Sequence, residues 1–160
     1  MRKIDVTELK TFIDAQSLET KIYLGCDSER INIRDTWFAD YAAVVVVHID
    51  GKHGCRIFGE VTRERDYDQR KDKPALRLMN EVYKVSALFQ KLADVLEDRD
   101  VEVHLDLNPD ELYGSNCVIA QAIGYIKGTC NIVPMVKPDA WCSSFAADRF
   151  SRILSERKVA

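Results

Sequence analysis

Asp27 closes the apolar, strand-forming run of KIYLGCDSER (residues 21–30), where a buried strand has no way to hydrate a lone carboxylate. Three further acids stand at comparably telling places. Asp106 lies in VEVHLDL (residues 101–107) and alternates in phase with His104. Glu81 falls about 60° from the centre of a helical stripe made by Leu78, Val82, Val85, Phe89, Leu92 and Leu96, while Arg77, Lys84 and Lys91 point roughly the opposite way. Asp148 follows CSSFAA, and periodicity puts it away from the face of Phe145, Phe150, Ile153 and Leu154. Carboxylates gathered in a half-buried place repel one another and stay ionised only if a cation neutralises them. Hard oxygen donors without thiolate or imidazole partners favour Mg²⁺ or Mn²⁺. Two such ions, about 3.5–4 Å apart, suit in-line attack on a phosphodiester, one activating water and the other stabilising the leaving oxygen.

Each acid also has a plain structural reading. An aspartate after a strand is often a turn residue. Glu81 reads equally as a helix-edge charge reaching water, Asp106 as a cap on the Asn108-Pro109-Asp110 turn, and Asp148 as a surface charge paired with Arg152. Their joint order along the chain is what favours a cluster.

The elements that must position these residues follow from local pattern. Asp5 and Glu8 form a capping-box-like start to a short amphipathic helix reaching about Ser17, read as an extension (residues 1–18) before a core of residues 19–160. Strands are predicted over residues 21–26, 41–49 and 55–62, with residues 29–40 as a connection and Asp50-Gly51 as the turn of an antiparallel hairpin. A charged connection (residues 62–74) ends at Pro74, at the first turn of a helix over residues 75–96. A strand over residues 101–107 follows, then a helix capped by Ser115 and ended by Gly128, a fifth strand over residues 131–136, and a last helix opened by Ser143 or Ser144. The fold class is therefore α/β: one domain whose mixed five-stranded sheet has three antiparallel strands, then two parallel strands reached through helices.

Composition narrows the function classes. A chain of 160 residues, 46% hydrophobic, fits one core. Its net charge of −3 lacks the overall basic balance of many nucleic-acid binders. The mixed run Arg63, Arg65, Arg70, Lys71 and Lys73 reads as solvated loop charge. No apolar run reaches the roughly 18 residues of a membrane span, and MRKIDVTELK has no signal-peptide core, so a cytoplasmic chain without membrane contact is expected. The five cysteines show no C-x-x-C spacing, which predicts free thiols, with Cys26 a buried residue rather than a nucleophile. His48 and His104, both in strands, read as packed residues, and His53 as turn surface.

With strand-Asp, helix-Glu, strand-Asp and helix-Asp in this order, the sequence from Lys21 onward resembles the ribonuclease H-like superfamily. The stretches LGCDS, HLDLNPDELYGSN, GYIKG, and VKPDAW followed by AAD resemble its YkuK-type branch. The resemblance implies that Asp27 bridges two Mg²⁺ or Mn²⁺ ions, that Glu81 and Asp106 hold one and that Asp148 holds the other. It further implies a nuclease acting on RNA, RNA–DNA hybrid or DNA, with Ser28 and Asn108 beside the ligands touching substrate. Turn roles for Ser28 and Asn108 remain open. Hybrid-cutting members often carry a histidine before the last helix; here that loop is MVKPDAWCSS, in which Lys137 supplies charge but no proton shuttle. The alternative is a non-catalytic domain of the same fold that binds nucleic acid or acts as a protein adaptor, since fold does not fix function.

Overall fold

A computed structural model describes residues 3–68 and 74–159, with side chains up to residue 154. Two long strands, β1 (Lys21–Ile33) and β2 (Thr36–His48), pair antiparallel along their whole length. β3 (Cys55–Arg65) adds to the far side of β2, antiparallel, and β4 (Asp100–Leu105) adds to β1, parallel, giving the order β3-β2-β1-β4. The helices are α1 (Val6–Asp14), α2 (Ala75–Leu96), α3 (Ile119–Cys130) and α4 (Ala147–Val159).

The strand period of two sorts residues between the faces. Ile22, Leu24 and Cys26 of β1 join Ala43, Val45 and Val47 of β2 in the larger core, against α1, α2 and α3. Ala42, Val44 and Val46 point the other way, onto Cys142, Ala147 and Phe150. The sheet is thus buried on both sides, which explains the unbroken apolar run of β2.

Several expectations change. Residues 29–40 are no connection: β1 continues seven residues past Cys26 and returns through Arg34 and Asp35, both with positive φ (49° and 63°). A two-residue hairpin turn demands that conformation, and Arg-Asp lacks the Asn-Gly signature that would have announced it. Asp27 therefore sits inside a strand, not at its end. Among the described residues the sheet has four strands, and the expected fifth is not one of them. Residues 131–136 run alongside β4 through one parallel bridge, His104 with Met135, where Leu105 N donates to Met135 O (2.9 Å) and Met135 N to Val103 O (2.8 Å). Pro134 and Pro138 interrupt the run on both sides. Ser115 lies in a 3₁₀ turn (Gly114–Val118) instead of capping α3, and α3 passes through Gly128 to end at Asn131, whose φ is 54°. The last helix begins earlier, in a π-helical turn (Cys142–Ala146). Arg63 and Arg65 belong to β3, whereas Arg70, Lys71 and Lys73 lie outside the described residues.

The first helix is not an appendage. Asp5 caps α1 by accepting from Glu8 N (3.0 Å), and Leu9 and Ile13 are both 0% exposed within the larger core. Removing a fully buried leucine side chain leaves a cavity as well as losing transfer energy. Leu9→Ala should therefore cost about 2–5 kcal/mol in urea unfolding, whereas a cost within the surface range of about 0.5 kcal/mol would make α1 an appendage after all.

Candidate metal centre

The parallel register between β1 and β4 decides where the acids meet. Lys21 pairs with Asp100 and so on to Cys26 with Leu105, and β4 stops there. One step further the same register puts Asp27 level with Asp106. Beyond that point β1 has a partner only in β2, so the sheet opens into a cleft on the β4 side. Asp27 shares its face with Tyr23 and Gly25, and Asp106 shares its face with His104, so both carboxylates lie on the side covered by α4.

Close packing brings that helix in. A Cβ on Gly25 would lie 2.7 Å from Ser143 N and 3.0 Å from the Cys142 carbonyl carbon, so only glycine lets the π-helical turn rest directly on β1. His104, 0% exposed, fixes the same turn: its Nδ1 accepts from Cys142 N (3.1 Å). Nε2 then carries the ring proton and donates to Glu102 (2.8 Å). π-Helical turns are rare and recur at functional sites. From this turn Ser144 Oγ donates to Asp106 Oδ1 (2.7 Å). Asp148, one turn further on, lines with Asp27, Ser28 and Arg30 a cleft at the open sheet edge.

Glu81 arrives from the other face. It is 4% exposed on α2, nearer the core than its position beside the apolar stripe suggested, and Ser28 Oγ donates to it. Ser28 follows Asp27 on β1 and so faces α2. Arg77 completes this group: its Nη1 donates to Ser28 O (3.0 Å) and Ser28 Oγ (2.7 Å) and stands 3.8 Å from Glu81 Oε1. A second cleft beside the first is lined by Asp27, Glu81, Asp106, Arg77, Tyr113 and Lys137. Arg77 is a site residue that sequence reasoning placed on the solvent side. Its signal was the i,i+4 spacing to Glu81, which aligns the two side chains on one helix edge.

The electrostatics are those of crowded anions. Burial, and then the neighbouring Asp106 charge, push the Asp27 carboxyl from 3.8 up to about 6. Burial, then the Asp27 charge, likewise push Glu81 well up. Each acid meanwhile has its own donor. Asp27 accepts from Ser28 N (2.8 Å), Lys137 Nζ stands 2.9 Å from Asp106, and Arg152 Nε stands 3.1 Å from Asp148. The Asp148–Arg152 pair is the alternative that sequence analysis left open, and it is present. Among the described residues no three acid, histidine or cysteine side chains converge closely enough to hold an ion. The donor set, all hard carboxylate oxygens lining two clefts that share Asp27, nevertheless suits Mg²⁺ or Mn²⁺ in kind.

The remaining candidates have local roles. Asn108 Oδ1 accepts from Asp110 N (2.9 Å), closing an Asx turn, while Asn108 N donates to Ser115 Oγ (2.9 Å). Cys26 is buried with its thiol pushed well up by burial, which leaves no thiolate for catalysis. All five cysteines are free thiols. His48 is half-buried, and His53 is exposed beside Asp50.

A family model described as ribonuclease H-like matches residues 5–152 of the chain. No curated protein and no solved structure matches it. Among the described residues no helix is long and apolar enough to cross a membrane.

A pH dependence follows from the raised carboxyls. Asp27 and Glu81 both hold their protons more tightly folded than unfolded; for Asp27 the stability is full below its ordinary value of 3.8 and is lost as pH rises through about 6, and Glu81 adds to the loss in the same direction. In EDTA, thermal stability should fall between pH 4 and pH 7. Asp27→Asn should flatten part of that fall and stabilise the protein at pH 7.5 by on the order of 1–3 kcal/mol. A variant less stable than wild type at pH 7.5 would show that Asp27 has a structural role.

Proposed function

Since the chain belongs to the ribonuclease H-like family, of the YkuK type, we propose that it is a divalent-metal-dependent nuclease that hydrolyses phosphodiester bonds. The family supports a link to nucleic acid. The observation that carries the finer reading is the placement of Asp27, Glu81, Asp106 and Asp148 around two adjoining clefts at the point where the sheet opens. Folding has no use for such a placement, because it leaves at least two of the four carboxyls disfavoured as anions.

In this reading Asp27, which lines both clefts, would serve both ions, Glu81 and Asp106 would hold one, and Asp148 would hold the other. Bound Mg²⁺ or Mn²⁺ would supply an activated water and charge neutralisation at the leaving oxygen. The chain's own residues do the rest. Ser28, between Glu81 and Arg77, fixes the rotamer of Glu81. Ser144 and Lys137 hold Asp106 at the end of β4. Arg77 and Lys137 offset the negative charge of Glu81 and Asp106, and each would offer a positive group to a phosphate. Ser28 and Lys137 are the substrate-binding candidates that line the acid clefts; Asn108 instead closes the turn that ends at Asp110.

The test is cleavage of labelled single-stranded RNA, RNA–DNA hybrid, duplex DNA and a four-way junction in Mg²⁺ and in Mn²⁺, with Asp27→Asn alongside. Wild type should cut at least one substrate, EDTA should stop it, and Asp27→Asn should lose at least about a hundredfold in rate, the scale on which removal of a directly acting group registers. A folded wild-type protein that binds nucleic acid equally well with and without metal, and cuts none, would instead identify a binding domain.

A further inference from the structure

We infer that the candidate site takes single-stranded nucleic acid, its bases stacking on Phe145 and Tyr113 to either side of the carboxylates and its phosphates drawn by Arg149 and Arg152. This rests on the reading of the site as one that acts on nucleic acid. Phe145 belongs to the π-helical turn that packs on Gly25, yet it is 73% exposed while Ala146 and Ala147 beside it are buried. A large aromatic ring so exposed on a tightly docked turn adds little to the core. It lines a shallow cleft with Asp148, Arg149 and Arg152. Asp148 and Arg152 also line the cleft that contains Asp27, so the ring borders the acid groove. At the other end Tyr113, 57% exposed, lines the cleft that holds Asp27, Glu81 and Asp106.

Charge complements the rings. Although the chain is net −3, residues 147–154 carry Arg149 and Arg152 against Asp148 alone. Arg149 is exposed and forms no ion pair among the described residues. Arg152 is held by Asp148 in an exposed pair, the kind that exchanges readily for a phosphate. In a duplex the base faces are occupied by their neighbours, so protruding aromatic rings find nothing to stack on. An unpaired strand offers every base face, whatever its sequence. Rings and guanidinium groups along one groove are the combination that binds such strands.

The experiment uses the full chain carrying Asp27→Asn, in Mg²⁺, with labelled 12-nucleotide probes read by fluorescence anisotropy at fixed salt. The probes are single-stranded RNA, single-stranded DNA, the matching duplex, and a single strand with abasic sites. Adding Phe145→Ala should weaken both single-stranded probes about tenfold and leave the duplex unchanged. Phe145→Trp should restore binding, and the abasic strand should bind the parent as weakly as the intact strand binds Phe145→Ala. The RNA and DNA arms tell which sugar is preferred. Single strands bound equally with and without the Phe145 ring, or a duplex bound as tightly as single strands, would overturn this inference while metal-dependent cleavage by wild type kept the nuclease reading standing. No binding of any probe together with no cleavage would remove both. A chain that dimerises through Phe145, with strand affinity unchanged by Phe145→Ala, would assign the ring to a protein contact and overturn the inference too.

Discussion

The site depends on one mismatch of length: β4 ends at Leu105 while its neighbour β1 runs on to Ile33. A central strand normally has hydrogen-bonded neighbours on both sides and leaves its side chains only the two faces. Where β4 stops, β1 gains an open flank at Asp27. Side chains from both faces then border the two clefts there, Asp106 and Asp148 from the α4 side and Glu81 from the α2 side. Ligand sites in α/β sheets favour the carboxyl ends of parallel strands for this reason, since the chain must leave the sheet there and makes a crevice as it goes.

Packing on either face serves that opening. The 22-residue α2 rests on the larger core through its apolar stripe and in doing so delivers Glu81 and Arg77 to the same edge. On the other face, the missing side chain at Gly25 and the acceptor nitrogen of His104 together seat the π-helical turn, which carries Ser144 and leads on to Asp148. The cost falls on the carboxylates. Their charges are kept apart by hydroxyls, a lysine and two arginines of the same chain, so a divalent cation would have to displace some of these partners as it draws the acids together. The same-chain donors and the absence of a ready-made ion cage among the described residues are two aspects of one arrangement.

Much of this was legible in the sequence because it depends on period and order. The stripe of α2 placed Glu81 beside the core, the alternation in VEVHLDL placed Asp106, and the succession of strands and helices paired β1 with β4. What stayed hidden depends on tertiary context. The β1–β2 turn uses Arg34 and Asp35 in left-handed conformations, which no residue preference announces, so half of β1 read as a loop. The segment around Met135 pairs through a single residue between two prolines, too little for a strand. Arg77 looked solvated because its angle was judged against the stripe of α2 alone, whereas its partners Ser28 and Glu81 come from the neighbouring strand and the next turn. α1 looked detachable because nine residues with two apolar anchors say nothing of where those anchors insert.

If these acids form one site, a divalent cation relieves their mutual repulsion. The most direct measurement is the melting temperature of wild type and Asp27→Asn at pH 7.5 across a Mn²⁺ titration. An ion that binds only the folded state raises stability by mass action, so the wild-type midpoint should climb with Mn²⁺ while that of Asp27→Asn stays nearly flat. A wild-type midpoint unmoved by Mn²⁺, or one that climbs equally in both proteins, would contradict the account.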